Sequence, residues 1–230
     1  MGVYFLRRGK ASVLDTIFAN NSWEAIIAAC QRGNVPDSWA VGDSKMMTIN
    51  DTDYQIDIIG KNHDTYTAGG TAPLTFQMHD CYKTISAMNS SSTNEGGWTS
   101  CYMRNTRLPA ILALMPSEVR TAIREVNKLT SAGNKSTTIN TTADKLFLLS
   151  EIEIFGRVTE SMAGEGSQYA YYSEGSSKRR RKNRNGKAND WWERSPRGSS
   201  TKRFCSVDSN GTAYYTGADS SSGMAFAFCF

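Results

Sequence analysis

No apolar stretch in the 230 residues approaches the ~20 needed to span a bilayer, so membrane insertion is not expected. Met1-Gly2-Val3-Tyr4-Phe5-Leu6-Arg7-Arg8 carries charge but has neither an apolar core nor a cleavage-site pattern. Cytoplasmic synthesis without a signal peptide is therefore expected. Cysteine is sparse: Cys30, Cys81, Cys101, Cys205 and Cys229 are widely spaced, and no C-x-x-C occurs. Zinc and redox-motif readings lose support, and the thiols are expected to pack as small buried hydrophobes. A Cys205–Cys229 disulfide is conceivable, although nothing in the sequence brings the two together.

The usual signatures of catalysis are missing too. His63 and His79 are the only histidines, each followed by an aspartate (Asp64, Asp80). Two such pairs could bind a transition metal or act as base and orienter. Gly69-Gly70 and Pro73 lie between them, however, and the spacing is not that of ligands on one element. Ser195 lacks a Gly-x-Ser-x-Gly elbow, and Gly164-Glu165-Gly166 lacks the Lys and helix start of a phosphate loop. Asp51, Asp53, Asp57 and Asp64 do not form an Asp-x-Asp-x-Asp-Gly loop. The Glu-Pro-Asn and Gln-Pro-Asp tripeptides of calcium-dependent sugar binders are also absent. An enzyme is not expected, nor is a cofactor, with a structural calcium left open.

What is present suits a soluble globule of one sizeable domain: 39% hydrophobic and 21% charged residues. The net charge of +4 is concentrated. Lys178-Arg179-Arg180-Arg181-Lys182-Asn183-Arg184 holds six cations, and outside it the 26 Lys and Arg of the chain fall to 20 against 22 acidic residues. No aromatic side chain interrupts the run to stack on bases. It is read as a solvated loop or a rim contact, with nucleic acid the lesser alternative.

Along the chain, Ser22 caps a helix over Trp23–Arg32 that Gly33 stops. Pro36 then marks the expected boundary between an N-terminal segment (1–36), suited to docking or oligomerisation, and a main domain (37–230). Met46–Ile49 and Tyr54–Ile59 read as a hairpin around Asn50-Asp51-Thr52-Asp53. Asn89–Gly97 reads as a surface loop. Val119, Ala122, Ile123, Val126 and Leu129 follow helical spacing, which predicts a second helix from Pro116 and Ser117 through Leu129. Lys145–Ser150 is a buried strand or its approach. Glu151–Phe155 is either a short helix or a continuation of that strand. The class is α+β.

The last forty residues, about 190–230, differ in kind. Between Arg197 and Gly223 the chain is dominated by Ser, Thr, Gly, Asp and Tyr, with Lys202 and Arg203 added. Binding loops favour this set, because Tyr gives contact area at low entropic cost and Ser and Gly adapt their hydrogen bonds. Asn210-Gly211 predicts a two-residue type I′ hairpin pairing Val207 with Tyr214 and Cys205 with Thr216. On that register Ser206, Asp208 and Tyr215 share the other face. Phe226, Phe228 and Phe230 alternate with Ala225, Ala227 and Cys229, a pattern of burial on both sides.

Trp191-Trp192-Glu193-Arg194-Ser195-Pro196, followed by Phe204-Cys205-x-Val207, Gly211 and the terminal strand, resembles the C-terminal pattern of a prophage-encoded family with the C-type-lectin-like fold of the formylglycine-generating-enzyme type. That family includes variable proteins of diversity-generating retroelements. Gly96-Gly97-Trp98, Arg104, Leu108-Pro109 and Phe147–Gly156 extend the resemblance over roughly residues 40–230. It implies a C-type-lectin-like fold with short antiparallel strands, two main helices and long irregular loops. It also implies a target-binding protein of phage or prophage origin, made in the bacterial cytoplasm and in some settings virion-associated. Its partner would be a protein or cell-surface target, and a homo-oligomer is compatible with it.

On this reading Tyr214, Tyr215 and Trp192 are anchors. Ser206, Asp208, Thr212, Thr216, Asp219 and Ser221 tune specificity, while Arg197, Lys202 and Arg203 meet anionic groups and Thr201 lies beside them. Glu193, where an apolar residue is expected, fits a diversified position. Trp191, Phe204, Cys205, Val207, Phe226 and Phe228 are scaffold. A fixed-surface phage-tail or adaptor protein is the main alternative. An enzyme using the His-Asp pairs, Cys205 or Cys229 is a weaker one.

Overall fold

Ser22 begins the first long element: its hydroxyl accepts from the Ala25 amide, and α1 (Trp23–Arg32) runs to Gly33, whose φ of 63° closes it. In the computed structural model, which describes residues 13–230, the expected helix has the expected ends. Residues 1–12 of the docking segment, including the stretch read for a signal peptide, lie outside the described residues. The hairpin follows as β1 (Ser44–Ile49) and β2 (Thr52–Lys61), with Ile49 opposite Thr52. Its loop is only Asn50-Asp51, both with positive φ (48° and 59°), so the two-residue turn of this chain sits here. β3 (Leu74–Met78) pairs with β2 on one side and with β11 (Ala227–Cys229) on the other, giving a sheet of order β1-β2-β3-β11.

Short helices fill the middle: α2 (Gly97–Ser100), α3 (Leu108–Leu112) and α4 (Ser117–Ala122). The second long helix does not form. α4 ends at Ala122, Ile123 turns extended, and Val126 and Leu129 belong to strand β4 (Val126–Ser131), paired with β5 (Ile139–Asp144). The same apolar residues serve a strand because partners for β4 come from β5, which local periodicity cannot show. α5 (Glu151–Phe155) is the short helix, held by a capping box between Ser150 and Glu153. After α6 (Ala170–Ser173) and the two-residue pair β6 (Arg181–Lys182) and β7 (Ala188–Asn189) comes the display region. It comprises β8 (Trp191–Pro196), β9 (Arg203–Val207) and β10 (Ala213–Gly217), a separate sheet of order β10-β9-β8. Every pairing between these strands is antiparallel, and the fold is α+β.

One continuous core runs through these layers. Phe18 stacks on Phe76 (6.2 Å), Phe76 on Phe228 (5.5 Å), and Trp23 meets Phe230 edge-on (6.1 Å). Phe226, Phe228 and Phe230 are fully buried, each stabilising the fold by about 1.5–3 kcal/mol. Pro36 is therefore no domain boundary: the segment from Leu14 to Arg32 packs against the same aromatic cluster as the C-terminal strand. All five cysteines are free and buried.

Charge also enters this core. Lys128 Nζ lies 2.8 Å from Asp64 and 2.6 Å from Glu153. Arg194 donates to both carboxylate oxygens of Glu153, to Oε1 at 2.9 Å beside Lys128 and to Oε2 on the other side. Burial works to raise Asp64, but Lys128, Thr75 and Tyr169 bring it down to about 2. Burial likewise opposes ionisation of Glu153, and Arg194 with Lys128 holds it below its ordinary value. Breaking such a pair leaves an uncompensated charge inside the protein.

Candidate functional site: an open depression on the C-terminal sheet

The hairpin between β9 and β10 differs from the expected one. Asp208 accepts from the amides of Asn210 (2.9 Å) and Thr212 (2.8 Å), and the Gly211 amide donates to Asp208 O at 2.9 Å. Only Gly211, at φ 82°, is left-handed, so the turn spans Asp208–Gly211 and the loop is longer than two residues. Pairing slips by one: Tyr214 faces Ser206, Tyr215 faces Cys205 and Thr216 faces Phe204. A one-residue slip exchanges faces. Tyr214 and Thr216 accordingly share the side of Ser206, whose Oγ lies 3.3 Å from Thr216 Oγ1.

The sheet sorts the expected residues by depth. Trp192, Glu193 and Ser206 are fully buried and are not on the surface. The physical reason is that Ser206 lies on β9, the middle strand between β8 and β10, and that β8 is itself bonded on both edges. β9 lies on one, while Leu149 O and Gly223 O accept from Arg194 and Trp192 on the other. Trp192 Nε1 donates to Ser86 O at 2.7 Å. Neither carboxylate oxygen of Glu193 has a partner. Burial first, then the charges of Glu151 and Glu165, pushes this acid well above its ordinary value. Trp191, Phe204, Cys205, Val207, Phe226 and Phe228 are buried as scaffold.

Lys202, Arg203, Tyr214, Tyr215 and Thr216 come together. With Ser92, Gly217 and Ser220 they line an open depression of about 440 Å³. Tyr214 and Tyr215 stack with centroids 5.1 Å apart. The Arg197 guanidinium lies 3.4 Å from the Tyr215 ring centroid and that of Arg203 lies 4.9 Å from it. Arg197 is itself held by Glu160 at 2.7 Å. Thr201 is half-buried, its carbonyl accepting from the Asn94 amide at 2.9 Å. Asp208 braces the turn, with Thr212 exposed on it. Asp219 and Ser221 are exposed beyond β10 and do not line the depression.

Sequence reasoning missed what carries this surface. Asn94, inside the stretch read as a surface loop, is buried and donates to Ser200 O (2.9 Å) and Arg203 O (2.7 Å). Those bonds fix the β8–β9 connection that bears Lys202 and the start of β9 at Arg203. Ser92 enters from the same loop, and no local signal announces either. The basic run is also more than a solvated loop. Arg181 is buried against Gln77 and Tyr172, and Arg180 Nε donates to Asn210 O at 3.1 Å, supporting the turn.

The other candidates disperse. His79 Nδ1 lies 2.7 Å from Asp57, not paired with Asp80, and His63 stacks on Tyr169 at 3.9 Å. Asp64 is engaged in the core. Burial pushes the thiols up, to about 12 for Cys30 and Cys101, about 11 for Cys81, and well above the ordinary value for Cys205 and Cys229. Among the described residues no three His, Cys, Asp or Glu side chains gather as a metal would require, and no helix is long and apolar enough to cross a membrane.

Residues 74–230 match the family described as a domain of unknown function (DUF6273), and the chain belongs to that family. No curated protein and no solved structure matches it.

Proposed function

We propose that this member of the DUF6273 family is a target-binding protein of phage or prophage origin. In this reading it is a variable protein that displays residues on a C-type-lectin-like scaffold. The observation that carries the reading is the sorting of residues 190–230 by depth. Lys202, Arg203, Tyr214, Tyr215 and Thr216 line one open depression, while Trp191, Phe204, Val207, Phe226 and Phe228 lie in the core. Recognition would use stacked tyrosines as anchors, hydroxyls for direction, and Lys202 and Arg203 for anionic groups. The raised thiols favour binding over cysteine chemistry, since the thiolate is the reactive form.

The test is the sequence of the DNA flanking the coding region. The proposal expects a near-copy of the segment encoding Trp191–Phe230, beside a reverse-transcriptase gene. The copy should differ mainly at adenines in codons of Lys202, Arg203, Tyr214, Tyr215, Thr216 and Ser220. Absence of a copy, or differences concentrated in core codons, would reduce the protein to a fixed binding or structural domain.

A further inference from the structure

β10 is the outer strand of its sheet, and among the described residues no strand pairs with its free edge. Its hydrogen-bond phase can be read from its two ends. Asp208 N donates to Thr212 O, and Ala218 N donates to Lys202 O, both at 2.9 Å. Bonded and non-bonded pairs alternate in an antiparallel ladder. The bonded pairs across β9 are therefore Tyr214 with Ser206 and Thr216 with Phe204. The N–H and C=O of Ala213 and Tyr215, and the N–H of Gly217, then point off the free edge. The Gly217 carbonyl is taken by Ser220 N at 2.9 Å. This row of outward groups runs beside the depression, where Lys202 and Arg203 are in no ion pair among the described residues.

We propose that the free edge of β10 receives an extended, acidic peptide segment of a target protein as a fourth strand. This rests on the binding reading above and specifies its ligand. Main-chain bonds to Ala213, Tyr215 and Gly217 would fix the segment's direction and register. Its carboxylates would meet Lys202 and Arg203, and its alternate side chains would pack on the two tyrosines. The charge argument selects the occupant: an unpaired edge invites any strand, but two unpaired cations beside it favour an acidic one and repel a basic one.

The experiment titrates the full chain with a blocked heptapeptide of alternating glutamate and valine, its lysine-for-glutamate counterpart, and two forms N-methylated on opposite alternate sets of amides. Saturable, salt-sensitive binding of the acidic peptide is expected, with none of the basic one. Methylation of the set facing β10 removes the donors to the Ala213 and Tyr215 carbonyls and should weaken binding by about tenfold or more, while the other set is nearly silent. Ala213→Pro removes an outward N–H without touching the β9 ladder or the tyrosines, and should weaken binding similarly with unchanged melting.

No binding of the acidic peptide, or equal binding of both methylated forms, overturns strand addition. If the methylated forms bind equally but Tyr214→Ala and Tyr215→Ala abolish binding, the depression stands as a site and only the strand mode falls. If the acidic peptide binds but ignores both tyrosine variants and Ala213→Pro, the depression itself is contradicted.

Discussion

The guanidinium of Arg197 lies 3.4 Å from the Tyr215 ring centroid, while its Nε donates to Glu160 at 2.7 Å. One side chain thus ties a half-buried aromatic to the loop after α5, so that Tyr215 is presented in one orientation. A ring ordered before contact loses less freedom on binding. Arg197→Ala should weaken any binding that uses Tyr215, at a stability cost of about 0.5–1 kcal/mol. Tyr215→Ala should leave the melting temperature nearly unchanged. A steep fall in melting for Tyr215→Ala would place that ring in the core instead.

The support beneath the sheet behaves differently. Arg194 is fully buried and bonds Glu153, Leu148 O, Leu129 O and Glu165 O. Arg194→Met removes one of the two cations paired with Glu153, leaving it Lys128 and the Ser150 amide, and should destabilise the protein by about 3–5 kcal/mol in urea unfolding. A loss below about 1 kcal/mol would show that the charged core does not hold β8 in place.

Glu193 predicts a gain. Its two unpartnered oxygens are buried and feel the charges of Glu151 and Glu165. Glu193→Met keeps the volume and removes the unsatisfied polar group, so it should stabilise by about 1–3 kcal/mol. If the substitution destabilises, the carboxyl has a partner in solution.

Stability should fall as pH rises above the ordinary glutamate value. Burial, against the donors Ser195 and Ser131, pushes Glu165 up to about 7, and Glu193 stands well above 4.5. Between pH 4.5 and 7 the unfolded chain has lost these protons while the folded chain retains them. The contribution is present in full below pH 4.5 and is lost upward, at about 1.4 kcal/mol per pH unit per proton. Below pH 3.8 the sign reverses, because Asp64, held at about 2, loses its ion pair as acid protonates it. Urea midpoints at pH 5 and pH 7 check the upper limb, and Glu193→Met should flatten it.

Elements with local causes were legible in the sequence. α1 followed from Ser22 and Gly33, whereas α5 stayed open between helix and strand although the Ser150–Glu153 capping box that decides it is local. Features decided at long range were not. Val126 and Leu129 fit a helical stripe until β5 pairs with them. Asn210-Gly211 carries the hairpin signal, but Asp208 captures the amides of Asn210 and Thr212 and moves the register by one. Trp192 and Glu193 resembled surface positions because nothing nearby announces that Leu149 and Gly223 close the far edge of β8, and Ser206 because local sequence does not show that β9 is the middle strand of its sheet. Of the depression, the residues of β9, β10 and Lys202 were readable, whereas Ser92 and its anchor Asn94 arrive from a loop about a hundred residues away.

The most direct measurement randomises Ser92, Lys202, Arg203, Tyr214, Tyr215, Thr216 and Ser220 together, keeps the buried residues of β8–β11, and reads folding and selectable binding across the library. If these positions form a tolerant display surface on a fixed scaffold, most members should unfold cooperatively with melting temperatures near that of the parent. Binders to a chosen protein should then emerge by selection. Widespread loss of cooperative folding, or a folded library from which no binder can be selected, would contradict the account.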